Sequence, residues 1–135
     1  RECSNTTVIQ KKDSIKSINK TLKDGNYLLL VSDQYAGSRG TINRFFKMPT
    51  STPKGAAIFN SKKNIPIILI FIFMNDDYSY SILSKQLEVE STNQSKDEHI
   101  ASINQAYNDE LEKIIIKYPE QYFWFHKRWD RSIYK

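Results

Sequence analysis

The stretch VSDQYAGSRGTINRFFKMPTSTPKGAA, residues 31–57, decides how the chain is read. It opens at the end of an apolar run, turns polar and glycine-punctuated, and finishes on a proline-started helix signal. Ligands of open α/β sheets collect where strands end in such loops. Asp33, Gln34 and Arg39 lie there beside Gly37 and Gly40, whose freedom at positive φ lets the backbone fold back over a bound group. An acid near an arginine suits a phosphate or a developing oxyanion. Thr52 reads as an N-cap and Pro53 as the first helical residue, where a missing N–H removes no bond. The helix continues through Ala56, Ala57, Ile58 and Phe59, and its free N–H groups together with Thr52 offer an anion site, beside the plainer reading of Thr52 as a cap alone.

Outward from this stretch, Tyr27–Val31 reads as a strand of nearly unbroken apolar character, the pattern of a strand covered on both faces. Ile65–Phe73 reads the same way after the exposed Ser61-Lys62-Lys63-Asn64 turn. The order strand, loop, helix, strand predicts a right-handed parallel crossover, and hence an α/β fold with a mostly parallel sheet flanked by helices on both faces. Asn75-Asp76-Asp77 closes the second strand with turn chemistry, and Tyr78–Val89 reads as an edge strand antiparallel to it. Upstream, Val8 and Ile9 suggest a short strand. A helix capped by Asp13 or Ser14 follows, with Ile15, Ile18 and Leu22 on one face and Gly25 as its stop. Downstream, Ser91–Lys96 is a polar connector, and Ser95 with Glu98 forms a capping box. The spacing of Ile100, Ile103, Tyr107, Leu111, Ile114, Ile115 and Tyr118 predicts a long helix that Pro119 ends. The tail Glu120–Lys135 mixes aromatics with bases and keeps no period.

At 135 residues and 39% hydrophobic content the chain holds one core and one domain. A net charge of +5 is compatible with an anionic surface, but the chain is rich in Lys, Asn, Ile and Ser throughout, a bias that need not be functional. Cys3 stands alone, which excludes an internal disulfide and a structural zinc site and fits a reducing compartment. The longest apolar run, Ile65–Met74, contains Pro66 and is well short of the roughly 20 residues that span a bilayer as a helix. The chain opens on Arg1-Glu2-Cys3 without Met or signal peptide, and reads as a fragment.

Asp33-Gln34, Gly37, Arg39-Gly40, Phe45-Phe46, Pro49, Ser51-Thr52-Pro53 and Gly55 together resemble, without a gap, one continuous block of the bacterial lipid A biosynthesis acyltransferases. Within it Asn43, Arg44, Lys47 and Thr50 stand where that pattern usually has Val, Pro, Gly and Ala. Pro119-Glu120-Gln121, Trp124, His126 and Arg128-Trp129 are similar to the closing motif of the same family. The resemblance implies that residues 1–135 are the C-terminal part of a single glycerophosphate acyltransferase-like domain whose membrane anchor lies upstream. It also implies the reaction: a fatty acyl group passes from acyl-carrier-protein or acyl-CoA to a hydroxyl of a membrane glycolipid, a lipid A precursor or similar. The implied setting is the cytoplasmic face of the bacterial inner membrane, with no cofactor, metal or nucleic acid.

In that family the general base is a histidine with an acid five positions later, HxxxxD or HxxxxE. A hydroxyl is a weak nucleophile until a positioned base takes its proton, and a carboxylate fixes the imidazole tautomer. Here His99 has Asn104 at that offset and His126 has Arg131, with Asp130 one position early. The resemblance therefore places the catalytic motif upstream and leaves supporting roles to this chain. Arg39 would neutralise charge on a phosphate or on the thioester oxygen, with Asp33 orienting it or the upstream histidine, and Gln34 and Gly40 beside it; the alternative is a loop salt bridge. Phe45 and Phe46 would line an acyl groove or cover a core edge. Glu120, Gln121, Trp124, His126, Arg128 and Trp129 would form a packing cap or touch substrate or membrane. A rival reading makes the chain a non-catalytic module whose basic, aromatic tail binds nucleic acid or anionic lipid. Against it, the tail aromatics follow a proline contiguously and lack the strand pattern of RNA-binding platforms.

Overall fold

A computed structural model of the chain describes residues 6–10, 14–89 and 95–134. The regular elements among them are α1 (Ser14–Lys23), β1 (Thr41–Phe45), β2 (Met48–Thr52), α2 (Gly55–Lys63), β3 (Ile68–Met74), β4 (Tyr80–Gln86) and α3 (Lys96–Lys117), with short 3₁₀ turns between them. Contacts divide the chain into residues 1–30 and residues 31–135.

In the first unit α1 ends as its sequence dictates. Gly25 takes φ +75°, its N–H reaches the Leu22 carbonyl, and the Asn26 N–H reaches Thr21. These two bonds make the Schellman closure that glycine permits. Asp13, proposed as a cap, lies outside the described residues, as do Cys3 and the connector positions 91–94. Val8 and Ile9 are irregular backbone, not a strand.

The second unit corrects the parallel-sheet expectation. Its two sheets have two strands each, β1 with β2 and β3 with β4, and both are antiparallel. Tyr27–Val31 forms no strand, and Tyr27 is 94% exposed. An apolar run signals a need for burial but does not name a partner. Ile65–Phe73 narrows to β3, which finds its partner locally: Asn75 and Tyr78 close a tight turn, and β4 runs back along β3 from Met74↔Tyr80 to Ile68↔Gln86. A short loop closes at lower entropy than a crossover. Only one face of β3 is covered, through Leu69, Phe71 and Phe73, while Ile68, Ile70, Ile72 and Met74 face outward.

The hairpin β1–β2 occupies the segment read as loop. Its strands pair from Thr41↔Thr52 to Phe45↔Met48, so the connection is Phe46-Lys47, with φ of 49° and 64°. Two left-handed residues make the turn whose twist matches a hairpin. Thr52 is therefore the last residue of β2, not an N-cap; α2 begins at Gly55 after Lys54, with no side-chain cap.

The long helix α3 matches its expectation, with the Ser95–Glu98 capping box formed in both directions. Ile100 and Ile103 pack with Ala57 of α2 in one cluster. Leu111 and Ile115 pack with Phe45 in another, which Phe71, Tyr107, Tyr122 and Trp129 enclose. No helix among the described residues is long and apolar enough to cross a membrane.

Position 47 carries Lys in a conformation that disfavours a Cβ. Because left-handed backbone costs an L-residue about 1–2 kcal/mol, Lys47→Gly is expected to stabilise the fold by about 1 kcal/mol even after the added freedom of the unfolded chain. Urea denaturation should show a higher midpoint at unchanged slope.

Candidate functional site

The loop that carries Asp33, Gln34 and Arg39 is seated on the end of β2. The Ala36 N–H donates to the Ser51 carbonyl at 3.0 Å, and Ser51 Oγ donates to the Gly37 carbonyl at 2.6 Å. Gly37 has φ +59° and opens the 3₁₀ turn Gly37–Arg39. Gly40 is needed for a different reason: its φ is −89°, but a Cβ there would lie 2.2 Å from Ser51 Oγ and 2.6 Å from the Thr52 carbonyl oxygen.

The C-terminal tail closes over the start of this loop. Tyr122 donates its hydroxyl to the Asp33 carbonyl at 3.5 Å, His126 Nδ1 lies 3.3 Å from Gln34 Nε2, and Tyr35 donates to the Asp130 carboxylate at 3.0 Å. The two sequence blocks that carry the resemblance are thus in contact, although about ninety positions separate them.

Arg128 is the centre of this closure and is 1% exposed. Its Nη1 donates to the carbonyls of Gln34 and Ser51 and to Thr50 Oγ1, at 3.5, 3.2 and 3.2 Å. Nη2 donates to Thr52 Oγ1 at 3.2 Å and to Asn108 Oδ1 at 2.9 Å. Thr50 Oγ1 in turn donates to the Arg128 carbonyl, and the guanidinium lies 5.0 Å above the Phe45 ring. Among the described residues the cation has no carboxylate in ion-pair contact. Burial pushes Arg128 below the ordinary arginine value, while the Asp33 carboxylate pulls it back up. Burial raises the Tyr107 hydroxyl and lifts Tyr122 to about 12, so both stay neutral in ordinary buffers and Tyr122 keeps the proton it donates. Two buried side-chain atoms in this region find no hydrogen-bond partner among the described residues, Arg128 Nε and Asp33 Oδ1.

The remaining predicted residues are scattered around this centre. Arg39 is exposed and its guanidinium has no hydrogen-bond or ion-pair partner among the described residues; in particular Asp33 makes no ion pair with it. Phe45 is fully buried, and Phe46 packs edge-on against it at 4.9 Å and near Trp124 at 6.2 Å. Trp129 donates its indole N–H to the Phe45 carbonyl and Trp124 donates to that of Pro119. Gln121 holds the end of β3, its amide bonding both N–H and carbonyl of Met74, and Glu120 is exposed. Tyr122, Trp124 and Trp129 turn toward Phe45 and Phe46, so of the tail rings around them Phe123 and Phe125 are the ones left well exposed.

Residues missed by the sequence reading lie on α3. Asn108, fully buried, gives its amide to the Arg44 carbonyl and to Thr52 Oγ1 while accepting from Arg128. Gln105 holds the N–H and carbonyl of Arg44, and Glu112 accepts from the Phe46 N–H. Asn104 donates to Thr41 Oγ1. The four-residue spacing of Asn104, Asn108 and Glu112 is a polar stripe, and it was the available signal.

The family model described as bacterial lipid A biosynthesis acyltransferase matches residues 1–131, and the chain belongs to that family. No curated protein matched the chain.

The seating of the loop on β2 depends on the missing side chain at position 40. Gly40→Ala should force Ser51 and the Thr52 carbonyl away and destabilise the fold by about 1–3 kcal/mol. Equilibrium unfolding would register this as a lower midpoint, and an unchanged midpoint would show that the loop seat yields freely.

Proposed function

We propose that this member of the lipid A biosynthesis acyltransferase family moves a fatty acyl group from the thioester of acyl-carrier-protein or acyl-CoA to a hydroxyl of a membrane glycolipid, at the cytoplasmic face of the bacterial inner membrane. The observation that carries the reading is the family match across residues 1–131. The seating of the closing motif on the Asp33–Tyr35 segment supports a shared role for the two blocks.

The chemistry requires a base for the hydroxyl and a charge stabiliser for the tetrahedral oxyanion. Neither histidine of this chain is equipped as the base. Asn104, at the fifth position after His99, is buried and bonded to Thr41. Asp130, near His126 in sequence, is occupied by Tyr35 and by the N–H and hydroxyl of Ser132. On this reading the base is the histidine of the motif that the resemblance places upstream, and the stabiliser we assign is Arg39. Its guanidinium can offer two parallel donors to a phosphate or carboxylate-like oxygen pair, which lysine cannot match.

Two outcomes follow. The 135-residue chain by itself, given a thioester donor and a lipid A precursor, should leave acyl transfer at background; turnover would mean that His99 or His126 works as a base unaided. In the complete enzyme, Arg39→Lys should lower kcat by roughly 10²–10³, as for loss of one oxyanion donor. Because the Arg39 side chain is exposed and touches no partner among the described residues, the melting temperature should not move, and wild-type kcat in the variant would remove Arg39 from the site.

A further inference from the structure

The segment Asp33–Ala36 has no strand ladder or helix to hold it. One backbone bond, Ala36 to Ser51, ties its end to β2. Everything before that bond is held from the tail: Tyr122 on the Asp33 carbonyl, His126 on the Gln34 amide, Arg128 on the Gln34 carbonyl and Asp130 on the Tyr35 hydroxyl. Four tail residues at even positions thus grip three consecutive residues, and of the four Arg128 alone is buried. It also alone bonds β2 and α3 at the same time, through Ser51, Thr52 and Asn108.

Stability gives a poor account of this arginine. A guanidinium taken out of water without a carboxylate is a costly core group, and Nε has no acceptor even so. What the planar fork does supply is geometry: two nitrogens fix the spacing between the Gln34 carbonyl, the end of β2 and α3.

We propose that Arg128 is a positioning residue for acyl transfer. It holds the Gln34 carbonyl against the end of β2 and thereby sets where the Asp33 and Gln34 side chains meet the reacting groups. The proposal rests on the acyl-transfer reading above. Displacements near 1 Å in such supports lower rates by about a hundredfold.

The test uses the complete enzyme with Arg128→Lys, which keeps the charge and loses the fork, read by amide hydrogen exchange and by steady-state kinetics. Expected are exchange at the Ala36 N–H, the one backbone donor of the segment bonded to an acceptor among the described residues, faster by tenfold or more while α3 and β1–β2 keep theirs, and kcat lowered roughly 10–100-fold with KM within twofold. Faster exchange spread through α3 and β1–β2, or unchanged kcat per folded molecule, would reduce Arg128 to a structural part and overturn the proposal. Should Arg128→Lys fail to fold, Tyr35→Phe cuts an exposed contact of the same grip; it should show the same pattern at smaller amplitude, and no change in either readout overturns the grip. A wild-type enzyme without acyl transfer would sink the functional reading, while the exchange pattern would still decide whether Arg128 holds the segment.

Discussion

The hydrogen bond between Asn108 Oδ1 and Arg128 Nη2 joins four separate parts of the larger unit. Asn108 belongs to α3, and its amide also holds the carbonyl of Arg44 in β1 and the hydroxyl of Thr52 in β2. Arg128 belongs to the tail and reaches on to the Gln34 carbonyl. A buried polar network is stabilising only when its members are satisfied, and low local dielectric raises the stakes of each bond. Here the network nearly closes, with Arg128 Nε its one buried atom left without a partner among the described residues. The packing of Phe45 against Leu111 and Ile115 surrounds this junction with apolar volume, which keeps water from competing for its bonds.

Around that junction α3 works with two faces. Its apolar stripe, Ile100, Ile103, Leu111 and Ile115, is read directly from the sequence, as are its cap and its proline stop. Its polar stripe substitutes for a missing strand: Gln105, Asn108 and Glu112 bind the backbone of Arg44 and Phe46 at the free edge of β1. Such an edge is otherwise a template for unwanted pairing. Periodicity reasoning seeks burial in apolar residues, so a helix that buries asparagine to finish a sheet edge escapes it.

The hairpin β1–β2 was hidden for related reasons. Along Thr41–Phe45 one outward residue is Ile42 and one inward residue is Asn43, an inversion of the usual alternation. The turn residues Phe46 and Lys47 lack the Asn-Gly signature that their conformation favours. By contrast Gly25 ending α1 and Asn75-Asp76-Asp77 turning β3 into β4 were legible, because their turn chemistry is strong. The parallel sheet was expected from the apolar character of Tyr27–Val31 and Ile65–Phe73, and local pairing decided otherwise for the second of them. Of the site, the tail motif and the glycine loop were readable as separate blocks. Their contact was not, because it depends on the geometry of an arginine that nothing in its neighbourhood marks as buried.

Two polar residues inside the β1–β2 hairpin gain a physical meaning from their placement. Asn43 and Thr50 face each other across β1 and β2, and both are buried. Asn43 spends its amide on the Ala101 carbonyl of α3, and Thr50 exchanges bonds with Arg128, donating to its carbonyl and accepting from Nη1. Directional bonds thus take over contacts that an apolar pair would make by shape, and they tighten the seat of Arg128 against β2. An alanine at position 50 would leave the guanidinium with the Ser51 and Gln34 carbonyls, Thr52 and Asn108 as acceptors, enough to stay bound but with less to fix its rotation. The Thr50 hydroxyl therefore strengthens the part of the fold that holds the Asp33 segment, through the arginine that reaches the Gln34 carbonyl.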